Sequence, residues 1–120
     1  MTELGERLLE YGARVIKLVD ALPATLVARR IGDQLLRSGT GVGANYEEAQ
    51  AGESKVDFTH KMQIALKEVR ESNYWLRLLA KAEIVPPDRL RPLIDESQQL
   101  RAILSKSVAT AKGKAKPRCL

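Results

Sequence analysis

Asp57 and His60 stand three residues apart, the spacing by which a helix turns a carboxylate and an imidazole to one side as metal ligands. A di-metal bundle needs two such pairs and further carboxylates, and His60 is the sole histidine of the chain. No metal site is therefore expected. The single cysteine, Cys119, lies far along the chain from His60 and offers no Cys–His pair for nucleophilic catalysis. It also excludes an internal disulfide and a cysteine-based zinc site. The stretch SGTGVG at 38–43 has the composition of a phosphate loop, but no strand precedes it and no GK[ST] follows. No acid–base pair or cofactor motif emerges, which points to a non-enzymatic protein with no cofactor.

Binding chemistry is better represented. His60, Gln63, Lys67, Arg70, Tyr74, Arg77 and Lys81 recur at alternating steps of three and four, a continuous helical ridge that is cationic with one aromatic. Lys67, Arg70, Arg77 and Lys81 could track a phosphate backbone, with Tyr74 placed for stacking. The plainer reading is a solvated face whose long stems cover nearby apolar surface, with Glu68 and Glu71 weakening the field. Arg29, Arg30 and Arg37 could extend the basic surface.

The net charge of +5 is unevenly placed. Lys112, Lys114, Lys116 and Arg118 account for four of the twenty basic residues, leaving sixteen against fifteen acids on residues 1–111. The body is nearly neutral. The tail could add salt-sensitive, sequence-independent affinity for nucleic acid, or serve as a disordered solubilising end.

The ridge requires a helix, and residues 54–82 supply one. Ser54 followed by Asp57 suits the cap of a first turn. Phe58, Met62, Ala65, Val69, Leu76 and Leu79 share one face, and no Gly or Pro interrupts them. Ile64, Trp75, Leu78 and Ala82 form a second apolar strip roughly 140° away. Two separated faces suggest burial against the chain's own core and against a neighbouring subunit. Alternatively, Trp75 lies flat on its own bundle beside Glu68 and Glu71.

Around this helix three others are expected. The first, near 3–21, carries Leu4, Leu8, Tyr11, Val15, Leu18 and Leu22, widened by Leu9, Ile16 and Val19, and ends before Pro23. The second, about 25–51, is capped by Thr25 and keeps register through Val27, Ile31, Leu35, Ser38, Val42, Tyr46 and Ala49. Gly32, Gly39 and Gly43 share a face with Leu36, so one continuous helix whose glycines admit another backbone is preferred to two short helices. Asn45 and Glu48 flank that apolar face and are expected to form a polar network with Ser54 and His60. The fourth helix starts between Pro87 and Pro92, with Asp88 a candidate cap, and runs to about 111.

Four helices with short connections make an all-α, up-down-up-down bundle over 1–111, followed by the basic tail 112–120. Few aromatics, 29% charged residues and 44% hydrophobic residues suit one globular helical domain. The N-terminus has no signal-like apolar region, and no run approaches the ~20 apolar residues of a membrane span. A cytoplasmic location without membrane contact is the expectation.

Residues 37–58, RSGTGVGANYEEAQAGESKVDF, and 64–79, IALKEVRESNYWLRLL, resemble a known family. It is the family of four-helix-bundle proteins encoded in intervening sequences of bacterial 23S ribosomal RNA genes. The pattern is carried by Arg37-Ser38, by Asn45 and Glu48, and by Ser54, Asp57 and Phe58, and the likeness spans roughly residues 5 to 110. Gly41 departs from it, since the family more often has a small hydroxyl residue there. The resemblance implies a left-handed bundle assembling as a ring, typically a homopentamer with a central channel. The chain is also similar to accessory proteins of diversity-generating retroelements, bundle rings that bind nucleic acid and a reverse transcriptase. The implied partners are thus other copies of the chain, RNA or DNA, and a protein. The resemblance implies no biochemical activity.

Overall fold

The structure is a computed structural model that describes residues 2–113. Four helices account for nearly all of it: α1 (Glu3–Asp20), α2 (Leu26–Gln50), α3 (Lys55–Lys81) and α4 (Pro87–Ala111). No strand occurs among the described residues. Three helices begin on a hydroxyl that satisfies an otherwise free N–H. Thr2 accepts from Gly5 N at 2.8 Å, Thr25 from Ala28 N at 3.1 Å and Ser54 from Asp57 N at 3.0 Å.

The fourth begins differently. Pro86 occupies its cap position without a side-chain bond, so Asp88 lies inside the first turn and is not the cap. Asp88 instead pairs with Arg91 at 3.4 Å on the exposed surface. Pro92 is carried inside the helix, where the carbonyl it leaves unbonded is that of solvent-exposed Asp88.

α2 runs unbroken through Gly39, Gly41 and Gly43. The reason is packing. A Cβ on Gly39 would lie 2.8 Å from both methyls of Val15, and one on Gly32 would lie 3.0 Å from Leu22 Cδ1. Gly43 faces Leu8, where a Cβ would make an ordinary contact at 3.5 Å, so α1 crosses the side-chain-free line of α2 from end to end, the two helices running in opposite directions.

The core takes Leu8, Tyr11 and Val15 from α1, Leu35, Val42 and Tyr46 from α2, Met62, Val69, Leu76 and Leu79 from α3, and Leu90, Leu100 and Leu104 from α4. Each fully buried Leu contributes about 1.5–3 kcal/mol. α1 buries a narrower stripe than its composition suggests. Leu9 and Ile16 are 59% and 50% exposed, because they sit about 100° from the Leu8–Val15 line, beyond the edge of α2. No helix among the described residues is long and apolar enough to cross a membrane.

Candidate nucleic-acid interface

Lys67, Arg70, Tyr74, Arg77 and Lys81 are all exposed on α3, and His60 continues the line toward its N-terminus. Lys67, Arg70, Arg77 and Lys81 make no ion pair among the described residues. The acids interleaved with them in sequence turn elsewhere. Glu68 and Glu71 face α2, where the Arg37 guanidinium bonds Glu71 and stands 3.5 Å from Glu68. The second contact lacks hydrogen-bond geometry, so Glu68 Oε1 has no donor. Arg37 is thereby committed to neutralising acids, and the α3 stripe keeps its positive charge.

Two members of the stripe are held in place. Arg77 lies over the Tyr74 ring, its Cζ 5.8 Å from the centroid, within cation–π range. Its Nε donates to Asn73 Oδ1 at 2.8 Å. Tyr74 in turn stands edge-on to Trp75, ring centres 5.2 Å apart. Trp75 is half-buried and donates its Nε1 to Glu71 at 3.2 Å, so within one protomer it lies across the α2–α3 seam. Ile64 and Leu78 are likewise half-buried, and Ala82, the C-cap of α3, is exposed. Lys112 caps the end of α4 and is exposed. Lys114, Lys116 and Arg118 lie outside the described residues.

Asn45, Glu48, Ser54 and His60 are not joined in one network. The Asn45 amide donates to Gly41 O at 2.9 Å, four residues back in its own helix, the local bond that a helical Asn readily finds. Ser54 caps α3, while Glu48 and His60 are exposed.

The buried polar groups are elsewhere. Tyr11, Ser72, Asn73 and Ser97 form a layer across α1, α3 and α4, all of them closed to solvent. Ser72 Oγ donates to Val69 O at 3.0 Å, leaving it to accept the Tyr11 hydroxyl at 2.7 Å. Asn73 Nδ2 donates to Ser97 Oγ at 2.7 Å, and Ser97 donates to Ile94 O. Through Asn73 this layer reaches Arg77 on the surface. Burial pushes the Tyr11 hydroxyl up to about 12, partly opposed by the Ser72 and Ser97 hydroxyls. Arg7 adds a two-pronged bond to Glu96, tying α1 to α4 at 2.8 and 3.1 Å.

Residue and backbone together describe an all-α four-helix protein with a cationic stripe on its third helix. The chain belongs to the 23S rRNA-intervening sequence protein family, whose model matches residues 5–106. It is also similar to a solved protein of unknown function from the S23 ribosomal protein family of Bacteroides thetaiotaomicron. The two are 32% identical, with 88% of this chain and 97% of that one covered and a TM-score of 0.78. No curated protein matches.

Proposed function

We propose that this chain is a non-enzymatic nucleic-acid-binding protein that works as a homo-oligomer, its up-down-up-down, left-handed bundles arranged as a ring, most simply a pentamer, in the cytoplasm. RNA or DNA binds along Lys67, Arg70, Tyr74, Arg77 and Lys81, supplemented by the basic tail. The observation that carries this reading is the turning of Glu68 and Glu71 toward Arg37, which leaves the stripe free of interleaved acids. Ile64, Trp75, Leu78 and Ala82 supply a subunit contact, and a ring would place several stripes around one axis. A cationic stripe tracking phosphates displaces counterions, so affinity must fall steeply with salt.

The test is fluorescence anisotropy of a labelled mixed-sequence RNA with the intact protein across a salt series. Binding should weaken at each step, and Lys67→Glu with Arg70→Glu should abolish it without disturbing the fold. No binding at low salt would end the reading. The second reading, a scaffold for a protein partner, is favoured by the exposed apolar residues Leu9 and Ile16. Recovery of one stoichiometric protein after nuclease treatment would select it.

A further inference from the structure

The cationic stripe of α3 has a neighbour on α4. The two helices are antiparallel, with Lys55 and Thr59 near the start of α3 beside Ala111 at the end of α4. Their register is fixed where Asn73 Nδ2 donates to Ser97 Oγ at 2.7 Å. Arg101 follows Ser97 by one turn and Arg70 precedes Asn73 by nearly one, so the two arginines stand level on either side of the seam. Both are exposed, and neither makes an ion pair among the described residues. Gln98 and Ser105, the exposed residues beside Arg101 on that edge, carry no charge. The acids of α4 near this level point elsewhere. Glu96 is turned to Arg7 of α1 at 2.8 Å, and Asp95 lies about 120° around the helix from Arg101.

One turn along α3 from Arg70 stands an aromatic ring. Tyr74 is 49% exposed, yet its neighbours hold it. Trp75 meets it edge-on, and Arg77 lies over it with its Nε anchored on Asn73, a side chain closed to solvent. The ring is ordered before any ligand arrives, so stacking on it costs little further freedom. About 6 Å of helix rise separates Arg70 from Tyr74, a distance that one nucleotide spans between its phosphate and its base. Strandedness decides whether such a ring can be used. A paired base is stacked within its helix, whereas an unpaired base can be splayed onto an aromatic side chain.

We propose that the ligand is a single strand laid along the α3–α4 seam, with Arg70 and Arg101 contacting its phosphates from the two helices and Tyr74 taking an unpaired base. The inference rests on the nucleic-acid reading above and adds to it the strandedness of the ligand and a contact on α4. The two ideas separate cleanly. A stripe acting through charge alone favours the duplex, whose charge density along its axis is higher than that of one strand. Stacking on Tyr74 reverses that order, because only the single strand can offer a base.

The experiment measures fluorescence anisotropy at low salt with the full chain and three labelled probes. They are a mixed-sequence RNA strand, the same strand annealed to its complement, and an abasic strand of equal length. The intact strand should bind about tenfold tighter than either of the others. Tyr74→Ala should bring the intact strand down to the abasic one, and Tyr74→Trp should keep the difference. Arg101→Glu should weaken the intact strand about tenfold, whereas Lys17→Glu, the same charge change at an exposed site on α1, should weaken it far less. Duplex binding as tight as that of the intact strand, or tighter, would overturn the proposal and leave the charged stripe standing. Abasic binding equal to intact would do the same. An Arg101→Glu loss no larger than that of Lys17→Glu would remove α4 from the site. No binding of any probe would end both readings. Should Tyr74→Ala lose the parent circular dichroism, the comparison of probes on the parent chain decides.

Discussion

Tyr11 and Ser72 meet hydroxyl to hydroxyl at 2.7 Å in the sealed interior, on helices that are not neighbours in the chain. The Tyr11 proton is the one mobile hydrogen in that contact, because Ser72 spends its own on Val69 O. A phenol held this way is neutral in the folded state well past its ordinary range.

Below the ordinary value of 10.0 the phenol is protonated whether the chain is folded or not, and its contribution is constant. Between there and about 12 the unfolded chain releases the proton while the folded chain keeps it, so stability falls as pH rises. The loss amounts to roughly 2–3 kcal/mol. Tyr11→Phe removes this loss but costs about 1 kcal/mol at neutral pH for the missing hydrogen bond. Urea unfolding from pH 8 to 12 should therefore show the two curves crossing. Parallel curves would mean that Tyr11 is ionised or wet in the folded protein.

Gly39 sets two effects against each other. Alanine in a helix interior normally gains about 1 kcal/mol over glycine. Here the new methyl would stand 2.8 Å from both Val15 methyls, and Val15 is β-branched with little freedom to rotate away. Overpacking of this kind costs about 1–3 kcal/mol, so Gly39→Ala should destabilise, and Val15→Ala in the same chain should relieve part of the strain. Gly12→Ala is the contrast, with its nearest neighbour at 3.9 Å. It should stabilise by up to about 1 kcal/mol. Chemical denaturation of the three variants tests the sign in each case.

Much of this architecture was legible because apolar spacing reports burial directly. The 54–82 helix, its Ser54 cap and the glycine-lined side of α2 follow from such spacing together with turn chemistry. The polar layer did not follow, although its trace is present. The apolar stripe of α3 skips from Val69 to Leu76, and that of α4 from Ile94 to Leu100. Ser72 and Ser97 fill those gaps, and each gap conceals a buried hydroxyl. Periodicity counts apolar residues and cannot tell a missing one from a polar residue whose partner lies on another helix. The exposure of Leu9 and Ile16 was hidden for a related reason, since α1 alone does not reveal where α2 ends its coverage. Arg7 with Glu96 joins residues too distant in sequence for local pattern to connect.

Gly41 lies close against a carboxylate that has one unsatisfied oxygen. A Cβ there would lie 3.1 Å from Glu68 Oε2, while Glu68 Oε1 has no donor. The carboxylate is the far end of a flexible side chain and can yield a few tenths of an ångström. Gly41→Ser supplies a hydroxyl where the carboxylate wants one and improves helix propensity by several tenths of a kcal/mol. Together these should stabilise by about 1 kcal/mol, a rise of about 4 °C in Tm for a domain of this size. Gly41→Ala separates the two contributions, since it brings the propensity without the donor. Equal gains from both variants would show that the hydroxyl does not reach Glu68.

Arg77 carries two duties that must be separated before its part in binding can be measured. Its Nε is the donor for Asn73 Oδ1, and Asn73 is only 2% exposed. Removing the guanidinium leaves a nearly buried amide oxygen without its partner, at a cost of about 1–3 kcal/mol. Arg70 has no such duty among the described residues, so Arg70→Glu should leave the urea midpoint within experimental error while Arg77→Ala lowers it clearly. Asn73→Leu with Arg77→Ala should cost less than the sum of the single changes, because the orphaned oxygen disappears with the asparagine. Additive losses would show that Arg77 is a surface charge only. Loss of RNA binding by Arg77→Ala alone would then be readable as lost phosphate contact, whereas coupling to Asn73 assigns part of that loss to a loosened α3.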